Sequence, residues 1–458
     1  MYRRTCVNTN AKIEYNLRQH YHLLDATTHP WERFDMIVVD EAHALLADAS
    51  YQRSPFYVRR LIEETRKRSK TCKIIVMTGS PQILSWYPLF DDAHCVDMMS
   101  TCKNVIPQRI EFISKKVATE MQHDMLKNRQ CFVAFTNHIR DIFAIYGNKE
   151  TAGFKNEIVF SFSDAAKREG IKKQDIAGFQ RMCKTEEYLA IHQALPVDVR
   201  AFYTTSRNKE GINIKNENFR TMFVDAHNEV DVIQMAGRLR NPIQTLYVVA
   251  DSTPNNDMED SNERPFSKDA VTIDAINTYF QALCKAHNIA LENLDCFRPI
   301  IHRVEALGKF IDFIHNKFPY IRYDYFTDRF VYYEERAASK DYYAGQQHIY
   351  DQAVQTTVGL VALAKSWFPT VPCVVSIKPP GDMAEEIRRY LTDSNWLDGK
   401  RDIRDTERKE ILNELKRITG KKYGALTPAL REWGYHHSVS GHKSSSPSVI
   451  TVIQEGEI

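Results

Sequence analysis

Short apolar runs separated by amphipathic stretches set the pattern of roughly the first 250 residues. Met36-Ile-Val-Val39, Ile74-Ile-Val-Met77, Ile110-Glu-Phe-Ile113, Cys131-Phe-Val-Ala-Phe135, Ile158-Val-Phe160, Ala201-Phe-Tyr203, Met222-Phe-Val224 and Leu246-Tyr-Val-Val249 read as strands apolar enough to be covered on both faces. Ile139, Ile142, Phe143 and Ile145 fall largely on one side of a helix between two of them. Alternation of this kind predicts parallel sheets with helices packed outside, and its length suggests two sheets.

The pattern then breaks. Residues 251–265 are polar and acidic, carry two prolines and have no apolar period, which marks a linker. Beyond it, Ala270 to Leu291 reads as helix, and Tyr320 to Tyr333 as a hairpin turning at Thr327-Asp328. Thr357 to Val375 is the most apolar stretch, but Lys365, Pro369 and Pro372 interrupt it, so it reads as a buried helix and a short strand rather than a membrane span. The tail predicts a helix over Thr406 to Ile418, a stop at Gly420, a helix near Leu426 to Glu432 and a strand over Ser448 to Val452.

Composition refines this. A chain of 458 residues, 43% hydrophobic and 26% charged, can bury more than one core. Its 61 basic and 59 acidic side chains exclude a histone-like polycation, so nucleic-acid contacts would come from local patches. Nine scattered cysteines without a C-x-x-C pair argue against a disulfide framework and a zinc ribbon, and fit a reduced, cytoplasmic compartment. The N-terminus has no apolar signal region.

The strongest chemical signal is Val38-Val39-Asp40-Glu41-Ala42-His43, an apolar strand ending in two adjacent carboxylates. An Asp at the C-terminal end of a buried parallel strand lies where α/β sheets bind ligands and can hold Mg²⁺ through its water shell. The adjacent Glu can orient and deprotonate a water. The competing reading is a strand end with solvated acids that cap a helix.

Further motifs follow in order: Thr78-Gly79-Ser80, Phe202-Tyr-Thr-Thr-Ser206, Glu210-Gly-Ile-Asn-Ile214 and Gln234-Met-Ala-Gly237-Arg238-Leu-Arg240-Asn241. Together with the Asp-Glu-Ala-His tetrapeptide they resemble the superfamily 2 helicases and translocases, with a DEAH-type motif II, over roughly residues 1–250. The resemblance implies ATP and Mg²⁺ as cofactors, with Asp40 as the Mg²⁺ ligand, Glu41 as catalytic base, and Gln234 and Arg238 completing the ATP site from a second lobe. It implies that His43 senses that lobe, that Gly211, Asn213 and Arg240 lie near the nucleotide, and that Thr78 and Ser80 couple hydrolysis to movement. Thr204 or Thr205 would touch the nucleic-acid backbone.

Two departures qualify the match. The position three after Arg238 is Asn241, where the family usually has a second Arg. The Gly-Arg-x-Arg version resembles viral and phage helicases, including the herpesvirus origin-binding type, and leaves the identity of the arginine finger open between Arg238 and Arg240. Also, no G-x-x-x-x-G-K-[ST] occurs in the sequence, and 39 residues precede Asp40. The expectation is a chain that begins inside the first lobe, with three competing accounts: truncation or gene splitting, which the joint presence of Asp40, Glu41, Gln234 and Arg238 favours, a partner polypeptide that supplies the phosphate-binding loop, or a degenerate helicase retained for binding. Cys6-Val7-Asn8-Thr9-Asn10 then resembles a nucleic-acid-contacting segment, which makes Asn8 and Thr9 candidate contacts.

Weaker features carry two readings each. The basic run from Arg59 to Lys73 could touch phosphates but reads better as a solvated helix face, because Glu63 and Glu64 stand at pairing distance. The aromatics between Tyr320 and Tyr350 could stack bases, and read better as packing for a small sheet. The tail has the outline of a winged-helix module, with Lys443 on a phosphate, or of a protein-docking domain of the same shape.

The expected fold class is α/β: two RecA-like parallel-sheet lobes, the first incomplete, a mainly helical C-terminal extension and a winged-helix tail. The expected domains are 1–105 (partial first lobe), 106–250 (second lobe), 251–268 (linker), 269–392 (α+β accessory domain) and 393–458 (tail). The implied activity is an ATP-dependent DNA helicase or translocase of phage or viral replication, acting on single-stranded or forked DNA with no membrane partner. The alternative is an ATPase-inactive nucleic-acid-binding or assembly protein.

Overall fold

The computed structural model describes residues 35–49, 54–86, 88–96, 106–136, 138–161, 176–205, 212–250, 270–288, 304–324, 327–397, 403–439 and 448–452. Asn8, Thr9, Gly211, Lys443 and the expected linker lie outside these residues. The α/β expectation holds.

The first body is small. Strand β1 (Met36–Val39) pairs in parallel with β2 (Lys73–Val76), with Val39 opposite Val76. Between them lie a one-turn helix α1 (Ala44–Ala47), buried along its whole length, and helix α2 (Ser54–Arg68). Val39, Ala42, Leu45, Val58 and Ile62 form the core beneath the strand pair.

The second body is a seven-stranded, all-parallel sheet. In chain order its first elements are β3 (Ile110–Ile113), α3 (Lys115–Lys127), β4 (Cys131–Phe135), α4 (Ile139–Gly147), β5 (Ile158–Ser161), α5 (Ile176–His192) and β6 (Ala201–Thr204). They continue with β7 (Phe219–Val224), α6 (Glu229–Ala236) and β8 (Thr245–Val249). Every residue of β4, β5 and β6 is buried, as continuous apolar strands covered on both faces must be. The period-2 pleat sends Val133 and Phe135 to one face, with Phe202 alternating likewise, and Phe132, Ala134 and Tyr203 to the other, so each face has its own core.

An accessory body follows: α7 (Ala270–Ala286), α8 (Glu305–Lys317), and the antiparallel pair β9 (Ile321–Asp324) and β10 (Arg329–Tyr332), then α9 (Glu334–Ala353). After it, α10 (Thr357–Trp367) leads to β11 (Cys373–Val375), which pairs in parallel with β3 and completes the order β11-β3-β8-β7-β4-β6-β5. Within residues 269–392 the elements pack in more than one place. Tyr350, Leu360, Leu363, Trp367 and Val371 lie in the core of the large sheet, because the sheet edge at β3 needs a further strand and an apolar helix to cover it.

The last described elements form another core. Helix α11 (Pro380–Asp393) shares a core with α12 (Asp405–Thr419), α13 (Leu426–Glu432) and the antiparallel β12 (Tyr435–Val439) and β13 (Ser448–Val452). Ile387 and Leu391 of α11 are fully buried there, so the unit is three helices and a hairpin from residue 380 onward.

The accessory body is docked on the first. Phe56 and Tyr57 of α2 enter its core with Phe280, Ile311, Tyr323 and Phe330. Arg59 pairs with the buried Glu335, and Arg60 reaches Asp324 at 2.9 Å as well as Glu63 and Glu64 on its own helix. The expectation of a solvated basic face is corrected for these two arginines, whose outer partners come from distant sequence. The aromatic run behaves as packing: Tyr320, Tyr323, Phe330, Tyr333 and Tyr342 are buried.

Among the described residues no helix is long and apolar enough to cross a membrane. The described Cys72, Cys95, Cys131, Cys183, Cys284 and Cys373 are free thiols.

Candidate functional site

The site is built where β1 ends. Met77 N–H donates to the Val39 carbonyl and Ala42 N–H donates to the Met77 carbonyl, so the Asp40-Glu41 turn is tied to the end of β2 from both sides. Glu41 takes φ 52°, the left-handed region that costs an L-residue on the order of 1 kcal/mol. Strain of this kind persists where surrounding contacts fix it, and here the carboxylate it carries stands near His43 and Arg238. Asp40 is exposed, and its Oδ1 accepts from the Glu41 amide at 2.9 Å.

His43 follows at the start of α1, fully buried. Its Nδ1 is 3.1 Å from Thr78 Oγ1, 3.5 Å from Gln234 Nε2 and 3.4 Å from Glu41 Oε2. Gln234 comes from α6 of the large sheet and donates from Nε2 to Ser80 Oγ at 3.0 Å, while Ser80 N–H donates to Thr78 Oγ1. Gly79 lies between those two hydroxyl residues, where a Cβ would stand 3.3 Å from Gln234 Nε2; glycine permits this close approach of the two bodies.

Arg238 closes the network. One turn after Gln234, its Nε donates to the Gln234 carbonyl, its Nη1 to the Ile212 carbonyl and its Nη2 to Gln234 Oε1 at 2.9 Å. The same Nη2 stands 3.6 Å from Glu41 Oε1. Gln234 and Arg238 are almost wholly buried, whereas the Glu41 side chain keeps 38% of its exposure. A planar fork held by three acceptors thus stands beside the solvent-facing acid of the other body.

Asn213 and Arg240 lie beside this network. The stretch through Ile214 runs parallel to Leu239, and Arg240 Nε donates to Asn213 Oδ1 at 2.6 Å on the surface. Thr204 is placed differently from the expectation. It is fully buried and its hydroxyl donates to the Ser161 carbonyl at 2.8 Å, because β6 is an interior strand; a side chain so enclosed cannot touch a nucleic-acid backbone. Thr205, at the strand end, is 9% exposed.

The donor set fits a water-mediated Mg²⁺ more than a directly caged metal. Asp40 offers one exposed carboxylate, and among the described residues no group of three or more His, Cys, Asp or Glu side chains could hold a metal ion.

Residues that the sequence singled out only within an aromatic run, or not at all, line the same seam. Tyr342, Tyr343 and Gln346 of α9 contact both walls, and the buried His227, just before α6, stacks on Tyr350 at 4.2 Å between ring centroids. Burial pushes the His227 imidazole down to about 4, against the opposing pull of Asp351. Burial also raises the Glu229 carboxyl at the start of α6 above its ordinary value.

No protein-family model and no curated protein matches the chain. Solved structures resemble it at low identity. Dbp5 of S. cerevisiae bound to RNA and ADP BeF3 is 12% identical over 54% of this chain and 59% of that one, with a TM-score of 0.36. The DEAD-box helicase Mss116 bound to ssRNA and UDP-BeF is 12% identical over 66% and 64%, with a TM-score of 0.36. The DUF1998 helicase MrfA bound to DNA and AMPPNP is 14% identical over 69% and 44%, with a TM-score of 0.34. The chain spans between 44% and 64% of the length of these three structures.

Proposed function

We propose that the seam between the two sheets is the nucleotide cleft of an ATP-dependent DNA translocase or helicase of superfamily 2. The observation that carries this reading is the continuous polar path from Thr78 and Ser80 through Gln234 and Arg238 to Glu41, which joins the ends of two separate parallel sheets.

Bound Mg·ATP would supply the triphosphate whose terminal phosphoryl group is transferred to water. In that setting Asp40 would hold the metal through its water shell, and Glu41 would orient the attacking water and take its proton. Arg238 meets charge that develops on the transferred group, at a position its three acceptors have already fixed. Gln234 and His43 report the state of that arrangement to Thr78 and Ser80, and the strand-end Thr205 contributes on the nucleic-acid side. Asn213 and Arg240 flank the nucleotide. Gly211, Asn8, Thr9 and Lys443 complete the nucleotide and nucleic-acid contacts in this reading.

No Walker-type loop occurs in these 458 residues, and we assign the cradle for the β- and γ-phosphates to a further polypeptide segment that acts with this chain. DNA is chosen over RNA on the Gly237-Arg238-Leu239-Arg240 pattern, and a role in phage or viral replication on the same ground.

The test is phosphate release from ATP by the full chain isolated in its native assembly, with single-stranded DNA, forked DNA, RNA or no nucleic acid. DNA-stimulated release supports the proposal. Tight DNA binding without any ATP turnover supports the alternative, a binding or assembly protein derived from a helicase.

A further inference from the structure

We propose that helix α9 is a strap that sets the separation of the two cleft walls, with the contact of Tyr342 and Gly345 on Trp86 as the point where it yields. This rests on the cleft reading for its catalytic consequence, whereas its mechanical content stands on the packing alone.

The helix spans 20 residues, about 30 Å at 1.5 Å per residue. Glu335, Ser339, Tyr342, Tyr350 and Ala353 are buried and Gln346 continues the line, so one stripe at helical spacing faces the rest of the protein. The stripe changes partner along its length. Glu335 is paired with Arg59 of α2 in the first body. Tyr350 and Ala353 belong to the core of the large sheet, where the Tyr350 hydroxyl donates to the Ala250 carbonyl at 3.1 Å and its ring stacks on His227.

Between those anchors the helix crosses the seam. Tyr342 is buried among Leu46 and Ala47 of α1, Ile83 of the 3-10 turn Pro81–Trp86, and Val230 of α6, which places one ring against both cleft walls. Tyr343 Oη donates to the Ala47 carbonyl and the Glu229 amide donates to Gln346 Oε1, both at 3.4 Å and so weaker than the bond at Tyr350. The contacted elements carry the chemistry: α1 follows Glu41 and His43, the 3-10 turn follows Thr78 and Ser80, and α6 carries Gln234.

A helix is stiff, so the walls cannot part while both anchors and the seam contacts hold. Gly345 is the weak link in the rod. It lies in the helix interior, where glycine disfavours the helical state, and a Cβ there would stand 3.3 Å from Trp86 Cη2. Trp86 packs edge-on against Tyr342 at 5.6 Å and remains 45% exposed, so this contact can loosen without opening a core.

The test is hydrogen exchange in the full chain at amides 44–49 and 229–231, with those of β7 and α10 as controls, alongside DNA-stimulated phosphate release. Tyr342→Ala and Trp86→Ala are expected to speed exchange at the seam roughly tenfold and leave the controls unchanged. Tyr342→Phe, which keeps the ring, should behave as wild type, and the turnover loss in Tyr342→Ala should appear in kcat rather than KM. Unchanged seam exchange in the folded variants, or equal acceleration of the controls, would overturn the strap. If Tyr342→Ala does not fold, Trp86→Ala decides. Accelerated seam exchange in a protein that never hydrolyses ATP would leave the strap standing and remove the hydrolytic reading.

Discussion

Gln234 and Ser80, 154 residues apart in the chain, are joined by a 3.0 Å hydrogen bond in an interior from which both side chains exclude water. The bond ties the helix that carries Arg238 to the turn that follows β2. Because Gln234 also accepts from Arg238, a displacement of either wall must be felt at the Thr78-Gly79-Ser80 turn.

Removing one partner tests that tie. Ser80→Ala leaves the buried Gln234 amide short of an acceptor, a cost of about 1–3 kcal/mol. The expected result is a roughly tenfold loss of DNA stimulation with ATP affinity retained. A double-mutant cycle with Gln234→Ala, read on the same rates, should show non-additivity.

Arg238→Lys tests the fork. Lysine keeps the charge but cannot reach the Gln234 carbonyl, Gln234 Oε1 and the Ile212 carbonyl at once. Steady-state kinetics should show kcat reduced by about 10³ with little change in KM, the pattern of a group that acts on the transition state. Arg240→Lys, at the surface beside Asn213, should change kcat by less than about tenfold.

His227 predicts an acid-sensitive fold. Its imidazole falls from an ordinary 6.5 to about 4 in the folded protein, so below pH 6.5 the unfolded chain binds a proton that the folded chain refuses. Stability from this group is fully present above 6.5 and is lost as pH falls toward 4, in total on the order of 3 kcal/mol. Thermal unfolding of wild type and His227→Gln at pH 7 and pH 5 checks this: the variant should lose less on acidification.

Much of the fold is written in local pattern. The runs at Met36–Val39, Ile110–Ile113 and Cys131–Phe135 are strands with those bounds, and Leu426–Glu432 and Ser448–Val452 are the predicted helix and strand. Uninterrupted apolar runs in an α/β chain have few other solutions. Partner choice is not local. Cys373–Val375 reads as a strand, but nothing in three residues says that it pairs with β3 rather than with the accessory hairpin. Arg59 and Arg60 have Glu63 and Glu64 within a turn, which is enough to account for them as surface charges and hides their longer-range partners Glu335 and Asp324. At the site, the Asp40-Glu41 and Gln234-Arg238 motifs were legible from their order. The buried stripe of α9 was not, because it is made of tyrosines and polar residues that give little apolar period.

The buried acid at Glu335 gives a stability prediction. Arg59→Ala removes one partner of a buried ion pair and should cost on the order of 3 kcal/mol, measured as a lower denaturant midpoint for the accessory body. Replacing both partners with apolar residues, Arg59→Met with Glu335→Leu, should cost much less, since the pair is then removed together with the burial of both its charges.

The central claim is that Glu41 acts on a nucleotide held in this seam. Phosphate release from ATP with single-stranded DNA, compared between wild type and Glu41→Gln in the native assembly, measures it most directly. The account predicts DNA-stimulated release in wild type, a fall of about 10²–10⁴ in the variant, and unchanged DNA affinity. Equal rates in the two proteins, or no release from wild type that binds DNA tightly, would contradict it.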